Sequence, residues 1–109
     1  MQELETCLPE LRYLYKYIKF KDRSNYVKYG SKTLLSCLVK VSLNLMYSNK
    51  NGLKLTSKQV KTLKKHKKGI IKLVSAKDET AQLRCLTNKL IDVMLAILLS
   101  VVKDLESND

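Results

Sequence analysis

Lysine residues recur at helical spacing in one segment and give this sequence its clearest chemical pattern. They are separated by 3, 4, 3 and 4 positions and comprise Lys58, Lys61, Lys65, Lys68 and Lys72. At about 100° per residue these side chains share one face of a helix, opposite the apolar face. The apolar face holds Val60, Leu63, Ile70, Ile71, Leu73 and Val74. A row of ammonium groups attracts polyanions by releasing their counterions, so the pattern predicts a nucleic-acid-binding surface. We expect further basic residues to add to its field, namely Lys54, Lys64, Arg12, Lys16 and Lys19.

The distribution of charge supports this interpretation. Residues 11–77 contain 18 Lys or Arg and one acid, Asp22, and the whole chain carries a formal net charge of +11. Nucleic acid is the first expected partner, with DNA favoured over RNA, and an anionic membrane surface is the second. A solvated surface without a partner is the third interpretation. Lysine supplies point charges and not bidentate base contacts, so little sequence preference is expected.

Tyrosine residues are interleaved with the basic residues of the N-terminal third. Tyr13, Tyr17, Tyr26 and Tyr29 alternate along the chain with several cations, which are Arg12, Lys16, Lys19, Arg23 and Lys28. Tyrosine rings can stack on bases, and their hydroxyl groups can bond phosphate. They can also fill a core while the hydroxyl group stays in water. We expect this second role for at least half of them.

Residues suited to catalysis or metal binding are sparse. The single histidine, His66, lies within the run Lys64–Lys68, where a surface position is expected. No cysteine pair has metal-ligand spacing, no serine lies in a nucleophile elbow, and the basic segment contains no pair of carboxylates. Asp92 interrupts an apolar run and is expected at the solvent-facing edge of its helix, with Ala96 and Lys103. The sequence therefore predicts a non-enzymatic protein with no cofactor and no metal site.

The three cysteines, Cys7, Cys37 and Cys85, are odd in number. Cys37 and Cys85 lie on apolar helical faces, so we expect both to be buried free thiols in a reducing compartment. The acidic start, with Glu3 and Glu5, is unlike a secretory signal, so the protein is not expected to be secreted, and the predicted location is the nucleus or otherwise the cytoplasm. The Lys64–Lys68 run also fits a nuclear import patch.

The elements that position these residues are expected to be helices throughout. A chain of 109 residues with three Gly and one Pro predicts a single all-α domain over residues 1–109, a bundle of four to five helices with a long apolar C-terminal helix. The predicted helices span about residues 9–20, 32–48, 57–75 and 80–106. Pro9 suits a first turn. Thr56 and Gln59 form a capping-box pattern.

Several breaks are predicted between these helices. Ser31 suits an N-cap position, and Ser48–Gly52 has the composition of a turn. The polar segment Lys21–Gly30 predicts a loop or a single helical turn closed by Gly30. Lys77–Thr80 predicts the last break, with acids placed favourably for the next helix dipole.

The C-terminal helix supports a second functional hypothesis. Its apolar run, Leu90–Val102, is shorter than the roughly 20 residues that a membrane span needs. A 26-residue helix would be about 39 Å long, so three short helices would leave part of it uncovered. The chain would then be a helical interaction or membrane-active module, forming a homodimer or docking on a helical partner. The expected contact residues are Ile91, Leu95, Leu98 and Val102. Complete burial within one bundle is the alternative.

Residues 11–75 resemble a family of small basic proteins encoded by Polinton/Maverick DNA elements and their adintovirus-like relatives. The matching positions are Leu11–Leu14, Asn44-Leu45, Asn51-Gly52, Leu55, Thr56, Gln59, Leu63 and Lys67. That family often ends in a Gly-rich apolar tail, whereas this chain ends in an apolar segment without glycine. The resemblance implies a virus-like mobile element, in which genome packaging or a minor virion component suits the charge.

Two known DNA-binding folds remain as alternatives. The segment Gly52–Val60 is similar to the junction before the last helix of a histone fold, although the preceding helix is short for that fold. A helix-turn-helix is the other alternative. Its connection, Ser48–Leu55, is longer than the usual 3–4 residues.

Overall fold

The computed structural model describes residues 2–30, 32–47 and 54–107, with side chains described for 6–30, 32–47 and 54–103. Within these ranges the chain contains no β-strand, which confirms the all-α class. The helices are α1 Gln2–Tyr17, a 3-10 helix Phe20–Asp22, α2 Arg23–Tyr29, α3 Lys32–Met46, α4 Ser57–Lys65, α5 Lys67–Ser75, α6 Glu79–Cys85 and α7 Asn88–Ser107. The described residues thus form seven α-helices where four to five were predicted. The expected cap at Ser31 and the turn Ser48–Gly52 lie outside these ranges.

Two apolar helices, α3 and α7, form the centre of the molecule. Helix α3 packs on α1, α5 and α7, while α7 also contacts α1, α2 and α4. Both carry apolar side chains around most of their circumference, and such helices are stable only when neighbours cover them. The prediction of a central core helix at 32–48 is confirmed by α3. The other helices are amphipathic and lie around this pair.

Helix α1 begins earlier and ends earlier than predicted. It starts at Gln2 rather than at residue 9, so Pro9 lies inside the helix and not in its first turn. The reason is that the apolar stripe of α1 extends back through Cys7, which is buried with Leu11 and Leu14 at helical spacing. Burial of this stripe outweighs the hydrogen bond that the proline nitrogen cannot make.

The segment predicted as a loop or single turn is more helical than expected. The 3-10 helix and the seven-residue α2 occupy positions 20–29, and Gly30 ends α2 as predicted. A Cβ atom at Gly30 would lie 2.7 Å from the backbone oxygen of Tyr26. Glycine is therefore required here because of a close approach of the backbone.

The predicted helix 57–75 is interrupted at one residue. His66 leaves helical geometry, with φ −104° and ψ 11°, and separates α4 from α5. Its backbone N–H still donates to the carbonyl groups of Thr62 and Leu63, at 3.2 Å each. The interruption falls within the run Lys64–Lys68, where like charges three and four residues apart repel, and Gly69 weakens the helix further.

The predicted helix 80–106 is divided into α6 and α7, whose axes differ by 88°. Leu86 is extended and buried, and the Thr87 hydroxyl accepts a hydrogen bond of 3.1 Å from the backbone N–H of Leu90, which caps α7. A straight helix of about 39 Å would exceed the longest dimension of the molecule, 37 Å. The bend brings α6 against α5.

The longest helix of the described residues, α7, has 20 residues. No single helix there is both long and apolar enough to cross a bilayer, and only the bent pair α6–α7 has the length and composition to do so.

The cysteines differ from the prediction. Cys7 on α1 and Cys37 on α3 form a disulfide, with Cα atoms 5.8 Å apart, within the usual range for a bridge. Both residues are buried, so the predicted burial of Cys37 is confirmed, whereas the prediction that Cys37 is a free thiol is wrong. Cys85 is free and half-buried. The sequence could not reveal the pairing, because the two sulfurs are separated by 30 positions and meet only when α1 packs on α3.

Reduction of the Cys7–Cys37 disulfide is expected to lower the free energy of unfolding by about 2–4 kcal/mol, because the bridge restricts a loop of intermediate length in the unfolded chain. Thermal unfolding with and without a phosphine reductant measures this. The Cys85→Ser variant, which keeps the bridge, should show the same loss on reduction. An unchanged midpoint in reductant would contradict a stabilising bridge.

Alanine substitution at two glycines should have opposite effects. At Gly69 a Cβ atom would lie 3.7 Å from the Leu90 side chain, in ordinary contact, so Gly69→Ala should stabilise the protein by about 0.5–1 kcal/mol through helix propensity. Gly30→Ala should destabilise it by more than about 1 kcal/mol because of the clash with the backbone at Tyr26. Urea unfolding compares the two, and effects of the same sign would contradict the described packing.

Candidate nucleic-acid interface

The helix that begins the lysine-rich segment is fixed at its start by a complete capping box. The Thr56 hydroxyl accepts from the backbone N–H of Gln59 at 3.2 Å, and the Gln59 side chain accepts from the backbone N–H of Thr56 at 2.9 Å. This confirms the predicted pattern and satisfies two donors that would otherwise lack partners at the helix start. The register of the lysines that follow is therefore set from Thr56 onward.

The five predicted lysines all lie exposed on α4 and α5, and we call them the lysine ridge: Lys58, Lys61, Lys65, Lys68 and Lys72. Within the described part of the chain, ion pairs form between Arg23 and Asp92 and between Lys32 and Glu79, and none of the ridge lysines pairs with a carboxylate. Their charge is therefore directed to solvent.

The break at His66 does not fold α5 back on α4. The Gln59 side-chain amide donates to the Ser100 hydroxyl of α7 at 3.4 Å, and Gly69 packs against Leu90 of α7. Ten residues of α4–α5 thus run antiparallel to ten residues of α7, about 15 Å in each case at 1.5 Å per residue. Both short helices therefore contact α7, and the ridge lysines are exposed on this pair of helices.

The other predicted basic residues fall into two groups. Lys54 and Lys64 are exposed on the α4 segment beside the ridge. Arg12, Lys16 and Lys19 are exposed on α1 and just after it, and α1 packs mainly on α3 and α7 rather than on α4 or α5. The structure therefore divides the ten predicted residues between two separate surfaces.

The predicted contact residues of the C-terminal helix lie in the interior. Ile91, Leu95, Leu98 and Val102 are all at most 7% exposed and belong to the core. The 3-10 helix and four α-helices, α1 to α4, pack on α7, so the expected uncovered stripe through these four residues is not present. A second copy or another partner would reach them only if helices of this chain moved.

Asp92 has a role that its sequence context did not indicate. Its carboxylate accepts from Nη1 of Arg23 at 2.8 Å, and Arg23 is only 7% exposed. The same guanidinium donates through Nη2 to the Tyr15 carbonyl at 2.8 Å and through Nε to the Ile18 carbonyl at 3.1 Å. It also stacks 4.9 Å from the centroid of the Tyr15 ring. Asp92 is half-buried rather than simply at a solvent edge, and the pair joins the end of α1 to α7.

Asn88 adds a second connection between the same parts of the molecule. Its side-chain oxygen accepts from the backbone N–H of Ser24 at 2.7 Å, and its side-chain nitrogen donates to the Lys21 carbonyl at 2.9 Å. The 3-10 helix and α2 are thereby held on the start of α7. The one signal in the sequence for these connections was Asp92, an acid within an apolar run. Its partner, Arg23, lies 69 positions away in the chain.

The aromatic residues are far more exposed than expected. All six tyrosines and Phe20 are at least partly open to solvent, each at 37% or more, so the prediction that at least half fill the core is wrong. The core consists of aliphatic side chains, methionine and the cysteines of the bridge, which fill it without aromatic rings.

Side chains suited to metal binding are sparse in the described residues. His66 is half-buried at the α4–α5 break. In this part of the chain, no three His, Cys, Asp or Glu side chains come together in an arrangement that would hold a metal ion.

Comparison of the chain with protein-family models, with curated proteins and with solved structures finds no significant match. The functional argument therefore depends on the surfaces described above.

Replacement of Arg23 by lysine should destabilise the protein by about 1–3 kcal/mol, because an ammonium group cannot make the three directed hydrogen bonds of the guanidinium. For a chain of this size, each kcal/mol lowers the unfolding midpoint by roughly 4–8 °C. Thermal unfolding followed by circular dichroism measures the change.

The matched control is Lys32→Ala, which removes an exposed ion pair of 3.9 Å to Glu79. Exposed pairs contribute little, so its effect should stay within about 0.5 kcal/mol. Equal effects of the two variants would contradict a structural role for Arg23.

Proposed function

We propose that this protein is a non-enzymatic nucleic-acid-binding protein that binds DNA through the lysine ridge without sequence preference. The observation that carries the proposal is the exposure of all five ridge lysines on the successive helices α4 and α5, with none of them paired to a carboxylate within the described residues. A surface of this kind gains free energy on contact with a polyanion because condensed counterions are released.

Three of the carboxylates with described side chains have partners away from the ridge. Asp78 caps α6 by accepting from the backbone N–H of Ala81 at 2.9 Å, and Glu79 lies 3.9 Å from the Lys32 ammonium. Asp92 is bound to Arg23. Each of these acids is therefore committed to a helix start or to another cation, which leaves the ridge available to an external anion.

The residue types on the ridge favour contact with phosphates over reading of bases. Lysine ammonium groups are flexible point charges, and the ridge contains no arginine, asparagine or glutamine that would make a bidentate contact to a base edge. The binding affinity would then depend on the density of phosphate groups and not on the base sequence. Compaction or packaging of a DNA genome, as the resemblance to virus-like elements suggests, needs this kind of contact.

The decisive variant replaces Lys58, Lys61, Lys65, Lys68 and Lys72 by glutamine. If all five contact phosphates, they account for about 4–5 units of the slope of log K against log salt, at ~0.9 per contact. Duplex affinity measured by fluorescence anisotropy at several salt concentrations should therefore fall strongly at low salt and lose most of its salt dependence.

A control with the same net charge separates the ridge from general basicity. This control replaces five cations outside the ridge by glutamine and should retain most of the slope of log K against log salt. The five residues are Lys32, Lys40, Lys77, Arg84 and Lys89. Equal losses in the two variants, or an unchanged ridge variant, would contradict the proposal. Tight binding to anionic vesicles that survives high salt, with weak DNA binding, would instead favour the membrane-active alternative.

A further inference from the structure

Four exposed tyrosines on α1 and α2 form a second surface, which we call the tyrosine face: Tyr13, Tyr17, Tyr26 and Tyr29. Their exposed fractions are 49%, 64%, 40% and 81%. Aromatic rings are large apolar groups that folding normally buries, so four rings left open together are a candidate binding surface. The rings come from different helices and are brought together only by the fold.

The rings are close enough to act as one surface. The centroids of Tyr13 and Tyr17 are 5.2 Å apart, and those of Tyr13 and Tyr26 are 6.2 Å apart, with tilts of 41° and 37°. Tyr29 lines a shallow depression together with Tyr17 and Tyr26.

Lysines surround these rings. The Lys16 ammonium lies 5.3 Å from the centroid of Tyr17, and that of Lys28 lies 5.6 Å from the centroid of Tyr29. Lys19 and Lys21 line the depression itself. Two acids also border the surface, Asp22 in the depression and Glu10 beside Tyr13 and Tyr26. Four cations against two acids leave the face positive, which suits a polyanion that also presents aromatic groups.

The segment that bears α2 is held firmly on the molecule. Arg23 binds the end of α1 and Asp92, and Asn88 binds Lys21 and Ser24. The backbone that carries Tyr26, Lys28 and Tyr29 is therefore fixed before any ligand arrives, which lowers the entropic cost of binding.

We propose that the tyrosine face binds single-stranded nucleic acid, with unpaired bases stacked on Tyr17 and Tyr29 and phosphates contacted by Lys16, Lys19, Lys21 and Lys28. Bases in a duplex are already stacked on their neighbours and cannot lie on a tyrosine ring, so this face distinguishes single strands from duplexes. The tyrosine face lies on helices other than those of the lysine ridge. An experiment can therefore refute one of the two proposals without refuting the other.

Intrinsic fluorescence gives a direct test on the intact protein. The chain contains six tyrosines and no tryptophan, so its emission reports on tyrosine alone. Titration with an oligothymidine of about 12 nucleotides, within the usual range of single-strand sites, should quench this emission. A duplex of equal length should quench it much less. Equal quenching by both, or none by the single strand, would overturn the proposal.

Variants locate the effect on the rings. The double variant Tyr17→Ala/Tyr29→Ala should bind the oligothymidine about tenfold or more weakly, as expected for loss of stacking on two bases, and should bind duplex DNA as before. The variant Tyr17→Phe/Tyr29→Phe keeps the rings and should bind within about twofold of the unaltered protein. Equal weakening by alanine and phenylalanine would overturn stacking as the cause.

Two further controls establish whether single-strand binding is specific to the tyrosine face. Tyr47→Ala removes an exposed tyrosine beyond the end of α3 and should leave single-strand affinity unchanged. The lysine-ridge variant should retain the fluorescence quenching by oligothymidine even if its duplex binding is lost. Quenching by a proline-rich peptide but not by the oligonucleotide would overturn the proposal and assign the face to peptide binding.

Discussion

The burial of α3 and α7 is the physical constraint on which the rest of this structure depends. Both helices are apolar around most of their surface, and a chain of 109 residues has few others with which to cover them. Coverage is achieved by dividing the remaining sequence into short amphipathic helices that each present an apolar stripe inward. Apart from the buried Arg23, the cations of those helices are consequently placed outside, where the ridge and the tyrosine face form.

Polar interactions fix the positions of the covering helices more than they add to the core. Arg23 and Asn88 attach the α2 segment to α7, the Gln59–Ser100 contact attaches α4 to it, and the Cys7–Cys37 disulfide joins α1 to α3. Hydrophobic burial is non-directional, so specific contacts of this kind decide which arrangement of short helices is adopted. These contacts fix the positions of the helices that carry both candidate surfaces.

Local patterns in the sequence predicted the elements well where one periodicity dominated. The capping box at Thr56 and the lysine ridge follow from short-range spacing, and the α3 segment follows from its continuous apolar character. The failures concern features that depend on tertiary packing. The bend at Leu86, the pairing of Cys7 with Cys37 and the partner of Asp92 all join residues far apart in the chain, or respond to the size of the molecule.

Helix α7 supports the two candidate surfaces from different directions. Asn88 and Asp92 hold the segment that bears Tyr26 and Tyr29, whereas α5 packs on Leu90. At 100° per residue, Asn88 and Asp92 each lie about 160° around the axis of α7 from Leu90. One copy of this protein would thus present the two proposed binding surfaces in different directions. Such a bivalent monomer could bridge two lengths of polynucleotide, and condensation would then require no dimer.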